Sequence, residues 1–335
     1  MSKEVLELLI ISFSISAVIS YILSKYAGRF SKLADTLNKS HAVHHIPVPR
    51  IGGIGIFTSL VITSLLTNSS IIQKLLIFMS LVFIIGLIED IKKDTSPKIR
   101  LFLLLLISAV ITLNLNFYIK DIGFTKIPPF LSTILTIIAI AGFTNAVNII
   151  DGLNGLASGI SLTFLFFLGL SFYEIEAYDL SAFCYILIAS IGGFIIFNFP
   201  KGKLFLGDGG SYLLGFTCAV LALELINLHN RISPWFPLLL GILPVWEVLF
   251  SAYRRKIKNK HPFYPDKLHL HTLIFNRVTR SNPKASILIL TGNLIFSSLA
   301  FIFRYCTTCL ILEILLFILI YTKLYKAIVK FQFQK

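Results

Sequence analysis

The stretch LSTILTIIAIAGFTNAVNIIDGLNGLASG, residues 131–159, runs from an almost wholly apolar segment into a cluster of asparagines and glycines around a single aspartate. Its first part decides the fold. A bilayer core is spanned by about 20 apolar residues in helical form, and there every backbone polar group must be paired within the protein. Runs of that length recur along a chain of 335 residues that is 56% hydrophobic and only 14% charged. They are continuous rather than alternating, which excludes barrel strands. The sequence therefore predicts an all-α, polytopic membrane protein with about 11 transmembrane helices, at 5–23, 51–67, 74–89, 100–118, 130–149, 156–173, 180–199, 211–228, 234–252, 285–303 and 306–322. The opening MSKEVLELLI lacks a basic leader, and no small-residue cleavage site follows its apolar run, so it reads as a retained helix. We expect a single transmembrane domain over 1–335, with no appended soluble domain and no internal repeat.

The second part of the stretch asks why polar groups end a span. Charge gives the orientation needed to answer. With the N-terminus outside, segments 24–50, 90–100, 200–210, 253–284 and 323–335 fall inside and carry 24 of the 30 Lys and Arg residues. Basic loops stay on the cytoplasmic side, so the expected topology is N-out and C-in. The net charge of +14 is then a consequence of topology, with some attraction to anionic membrane lipid, and no nucleic-acid partner is expected. Of the four cysteines, Cys184 and Cys218 lie within spans. Cys306 and Cys309 form a lone C-x-x-C that reads as apolar packing, since no second pair is near.

On this topology the unusual residues share one face. HAVHHIPVPRIGG (41–53), GLIEDIKKDTSPKIR (86–100), NAVNIIDGLNGL (145–156), NFPKGKLFLGDGGS (198–211) and HPFYPDKLHLHTLIFNR (261–277) all lie inside, while outer loops such as NSSIIQK hold nothing comparable. Taken singly, each residue has a plain structural use: glycines cap helices or allow close packing, and Asp90 or Asp208 would serve as solvated loop acids. Their joint placement points to one site. Asp90, Asp151 and Asp208, with Glu89, are hard oxygen ligands of the kind that hold Mg²⁺ together with water and substrate phosphate. Asn148 and Asp151, three residues apart, sit about 60° from each other on a helix and can face one cavity. His269 and His271 converge if the chain there is extended, as Pro262 and Pro265 suggest. With Arg254, Arg255 and Lys267 nearby, phosphate binding fits them better than a zinc site.

These five motifs, in this order, resemble those of the polyprenyl-phosphate N-acetylhexosamine-1-phosphate transferases, integral-membrane enzymes of glycosyltransferase family 4 that initiate bacterial surface polysaccharides. The resemblance covers residues 41–277. It implies transfer of a sugar 1-phosphate from a UDP-amino sugar, such as UDP-N-acetylglucosamine, to undecaprenyl phosphate at the cytoplasmic face of a bacterial inner membrane, releasing UMP. Mg²⁺ is the implied cofactor, with Mn²⁺ as a substitute, and a homodimer is left open. Position by position, Asp90 corresponds to the second residue of the family's acidic pair near the acceptor phosphate. Asn148 and Asp151 correspond to the element lining the metal and nucleotide pocket, and Asp208 to the principal Mg²⁺ ligand. Asn198 and Phe205 fall where the family holds uridine, and His269 and His271 fall in its histidine-rich loop. Glu89 stands where many members have Asp, Asn154 replaces a second Asp but retains groups that pair with uracil, and Thr272 replaces a His. Two other readings stand beside this one: a transporter using Glu224, Glu247 and Glu313 within its spans, and a catalytically inactive relative that only binds.

Overall fold

The computed structural model describes residues 3–27, 48–67, 69–259 and 268–330. They form α1 (Lys3–Tyr26), α2 (Gly53–Leu65), α3 (Ser70–Lys92), α4 (Pro97–Leu115), α5 (Pro129–Ile150), α6 (Leu156–Glu174), α7 (Tyr178–Asn198) and α8 (Gly207–Leu228), followed by α9 (Trp235–Leu240), α10 (Ile242–Ile257), α11 (Leu270–Leu273), a π-helical turn over Ile274–Thr279, α12 (Asn282–Ile302) and α13 (Thr307–Lys330). No strand occurs among the described residues; an isolated antiparallel bridge joins Asp121 and Lys126. The all-α, multi-pass class follows from the apolar runs as expected.

Each of the eleven expected spans falls on helix, and nine of those helices, among the described residues, are long and apolar enough to cross a membrane. Two expected spans differ. The second is α2, only 13 residues long. It begins at Gly53, whose Cα side is pressed against the backbone of Gly210, so the helix starts inside the bundle. The ninth is split at Gly241 into α9 and α10. Pro244 has no N–H for the carbonyl four residues earlier, which breaks the ladder there while fitting the first turn of the next helix.

The core is built around α8, which is 83% buried over its most apolar window, against 17% for α1. α8 packs on α2, α3, α5 and α6, while α1 leans on α2 and α7 at the margin. Large apolar side chains on α1, α4, α12 and α13 face outward, as they must if lipid is the solvent. The centrality of α8 matters because its first turn carries Asp208. The ends of α3 and α5 and the starts of α2 and α4 meet that turn, so one end of the bundle gathers polar residues from several motifs.

At the far end of α12 lies a correction. Cys306 and Cys309 are joined as a disulfide at the start of α13, not packed as separate apolar side chains. The i, i+3 spacing at a helix entry brings the two sulfurs together. Arg304 beside them pairs with Glu174 at 2.6 Å.

Candidate active site

The first turn of α8 is held by α3 from outside the helix. Its opening N–H groups lack partners within the helix, and the Asp90 carboxylate takes two of them, from Asp208 (2.8 Å) and Gly209 (2.9 Å). A carboxylate there also meets the positive end of the helix dipole. Gly207, at φ +79°, makes the turn into the helix; a side chain on it would strike the Arg50 carbonyl and Asp90. Gly86, one turn before Asp90, leaves no room either. A Cβ there would come within 2.4 Å of the Asp208 carbonyl oxygen and 2.5 Å of the Gly209 nitrogen. Backbone lies on backbone, and this fixes where Asp208 projects.

Around the Asp208 carboxylate the structure gathers cations and an amide. Arg100, from the first turn of α4, donates to Oδ2 at 2.5 Å, and Arg50 stands 3.8 Å from Oδ1. Asn148 near the end of α5 donates from Nδ2 to Asp208 Oδ1 at 3.0 Å and to Ser211 Oγ at 2.8 Å. Glu89 sits 3.8 Å from Arg100, and its other oxygen accepts the Thr95 backbone N–H at 3.0 Å. Asp151 follows the last turn of α5. Burial raises its carboxyl well above the ordinary range; the charge of Arg50 opposes that shift, and the charges of Asp208 and Asp90 reinforce it. Asp90, Asp151 and Asp208 therefore share one field, as the sequence pattern anticipates.

The loops beside this pocket are braced by amides. Asn198 accepts from the Gly155 N–H at 2.6 Å and donates to the Leu204 carbonyl at 2.9 Å. Asn154 donates to the Pro200 carbonyl at 3.1 Å, and its own N–H is taken by Asn282 at 2.8 Å. Both side chains thus tie the 151–155 turn to the 198–204 loop, and Asn282 ties that turn to α12. Phe205 is half-buried, with its backbone bonded to Pro49 and Gly52.

His269 and His271 converge with their rings stacked, 5.4 Å between centroids and 10° from parallel. His269 is extended (ψ 147°) just before α11, which brings the two side chains to one side. Glu247 on α10 joins them: its Oε2 lies 3.0 Å from His269 Nδ1, and its Oε1 lies 3.8 Å from His271 Nδ1. His271 reaches the aspartate cluster, since a Cβ on Gly152 would sit 2.9 Å from its Nε2. Arg254 donates to the Leu268 carbonyl at 2.5 Å and to the Tyr325 hydroxyl, and Arg255 to Ser251. Lys267 lies outside the described residues.

Sequence reasoning passes over Arg50 and Arg100, which it counts only as topological charge, although each lies within a polar motif. Glu247, named from sequence only under the alternative transporter reading, stands behind the histidines in the structure. Among the described residues no three His, Cys, Asp or Glu side chains form a metal cluster. Mg²⁺ is usually held by one or two carboxylates and otherwise takes water and phosphate oxygens. Asp208, with the Asn148 amide oxygen at hand, fits such a donor set.

These features define a multi-pass membrane protein with a cluster of acidic side chains and arginines, and paired histidines, at one end of its bundle. The sequence pattern of glycosyl transferase family 4 matches residues 72–226. An undecaprenyl-phosphate alpha-N-acetylglucosaminyl 1-phosphate transferase of Thermotoga maritima is 30% identical over 304 residues, covering 88% of this chain and 94% of its own length. The protein of the same name from Yersinia pestis is 31% identical over 245 residues, covering 69% of this chain and 66% of its own length. That of Escherichia coli K12 is 29% identical over 276 residues, covering 78% and 74%. The chain belongs to glycosyl transferase family 4.

Proposed function

We propose that this protein transfers N-acetylglucosamine 1-phosphate, or a closely related N-acetylhexosamine 1-phosphate, from its UDP conjugate to undecaprenyl phosphate, releasing UMP at the cytoplasmic face of a bacterial inner membrane. The observation that carries the reading is the meeting, at one end of an apolar bundle, of Asp208 and Asn148 with Arg50, Arg100 and the paired histidines. Family membership and the names of the relatives support it.

The reaction forms a bond from a lipid phosphate oxygen to the phosphorus nearest the sugar and breaks the bridge to UMP. Positioning and electrostatics carry most of such a transfer. Asp208 and Asn148 would hold Mg²⁺, which when bound offsets charge on the donor diphosphate. Arg50 and Arg100, already poised at Asp208, offer planar donors matched to phosphate oxygens. His271 at Gly152 and His269 beside it complete the wall from the opposite side. The amide braces at Asn154 and Asn198 keep the 151–155 turn in place.

Purified enzyme given undecaprenyl phosphate and a panel of UDP-amino sugars should release UMP with UDP-N-acetylglucosamine, and lose that activity on chelation of Mg²⁺. No release with any of the panel would overturn the reading. Gly152→Ala should cut turnover roughly tenfold or more, because its methyl must displace the His271 ring; wild-type turnover in that variant would remove His271 from the site. Orientation has its own test, resting on the 24 basic residues at the inner segments. Single cysteines in the 253–284 loop of a cysteine-free variant should react with an impermeant reagent only after cells are opened.

A further inference from the structure

Glu247 is the most deeply buried acid of the histidine end, only 2% exposed. A carboxylate taken out of water costs several kcal/mol unless donors surround it, and here three do. His269 Nδ1 lies 3.0 Å from Oε2, the Leu270 backbone N–H donates to Oε1 at 2.8 Å, and the Tyr321 hydroxyl of α13 reaches the same carboxylate. We propose that Glu247 is a positioning residue for the sugar-phosphate transfer: it takes the Nδ1 edge of His269, and through the stacked pair that of His271, so that both Nε2 edges face the substrate phosphates. This rests on the function proposed above.

The geometry leaves little freedom. A neutral imidazole has one donor and one acceptor nitrogen, and the partner of one decides the role of the other. A carboxylate only accepts, so Nδ1 of His269 carries the proton and Nε2 is the atom left for the ligand. His271 lies with its Nδ1 on the Glu247 side, 3.8 Å from Oε1, and its Nε2 against Gly152 beside Asp151. Stacking packs the His271 ring against the one that Glu247 holds. The Leu270 N–H bonded to Glu247 also fixes the backbone between them, so a single side chain on α10 sets the rings and the chain that carries them. Among the described residues, the other charged and titratable groups packed there are Arg254 on α10, Tyr321 and Tyr325 on α13, and Asp151 beside Gly152. Arg254 faces the Leu268 carbonyl and Tyr325. None takes the place of Glu247 at Nδ1.

Glu247→Gln isolates the role, because it keeps the size but has one acceptor oxygen where the carboxylate serves three donors, His269 Nδ1–H, the Leu270 N–H and the Tyr321 hydroxyl. One must lose its partner or face the new amide N–H, and the ring answers by moving its proton to Nε2. With ¹⁵N-histidine in the full-length protein in detergent, the His269 resonance set, assigned through its loss in His269→Ala, should be of the Nδ1–H form in wild type. Glu247→Gln should convert that set to the Nε2–H form. In the UMP-release assay kcat should fall roughly 10- to 100-fold, and the same change made in His269→Ala should add little. Glu247→Asp, which retains both acceptor oxygens, should recover more activity than Glu247→Gln. An unchanged tautomer in Glu247→Gln, or an undiminished effect of that substitution in the His269→Ala background, would overturn the proposal. The tautomer is read without turnover, so a protein that transfers no sugar phosphate would sink the proposed function while the spectrum still judges the positioning.

Discussion

Asp208→Asn should lower sugar-phosphate transfer by roughly 10²- to 10³-fold or more while the melting temperature stays within a few degrees of wild type. Asn keeps the size and one acceptor oxygen but removes the charge expected to hold Mg²⁺ against the donor diphosphate. Loss of one charged ligand in a partly desolvated pocket removes about 3–5 kcal/mol of transition-state stabilisation, by analogy with breaking a buried charge pair. Stability should suffer far less, for reasons visible in the contacts. The Asp208 and Arg100 side chains are 12% and 18% exposed, so their ion pair is partly solvated, and Glu89 remains 3.8 Å from the same guanidinium. The Asp208 backbone N–H, not its carboxylate, is what Asp90 holds, so the start of α8 stays capped. If Asp208 served only as a loop acid, the substitution would be almost silent. Turnover above about a third of wild type at saturating Mg²⁺ would remove Asp208 from the metal site, a cut-off far above the turnover that loss of a ligand would leave.

The same contacts show what a sequence can reveal about such a protein. The helical membrane class is legible because its cause is local: an apolar run of bilayer length admits few other structures. The gathering of Asp90, Asp151 and Asp208 is legible through topology, since alternate ends of successive spans return to one face. The rest depends on partners far apart in the chain. Nothing near Asp90 announces that it caps a helix starting at residue 207, nor that Glu247 serves histidines beyond the next loop. The break between α9 and α10 had a local signal in Gly241 and Pro244, but mean apolarity runs straight through it. The Cys306–Cys309 bond was hidden by a spacing that a helix entry and an apolar stripe share.

The glycine that fixes the pocket is also invisible to a reading by residue type, and it supports the second large effect. Gly86→Ala should impair both stability and transfer, whereas Gly142→Ala on α5 should do neither. An Ala in place of an exposed helical Gly normally stabilises by about 0.5–1 kcal/mol, and a Cβ at Gly142 meets nothing within 4 Å. At Gly86 the same methyl would lie 2.4 Å from the Asp208 carbonyl oxygen and 2.5 Å from the Gly209 nitrogen. Those are backbone atoms of the first turn of α8, so no rotamer relieves the contact and the two helices must separate. Overpacking of a tight interface typically costs about 1–3 kcal/mol. The separation also pulls the Asp208 and Gly209 N–H groups off Asp90, and a shift near 1 Å of a reacting group is enough for roughly a 10²-fold loss of rate. The expected result is a lowered melting temperature together with a loss of UMP release far beyond what the remaining folded fraction explains. Larger residues at 86 should be worse in order of volume, and a second substitution at Asp90 should add less than it does alone, since the same contact is already lost. Equal behaviour of the Gly86 and Gly142 variants in both assays would mean that α3 does not set the position of the α8 first turn, and the account of how this fold places its carboxylates would fail.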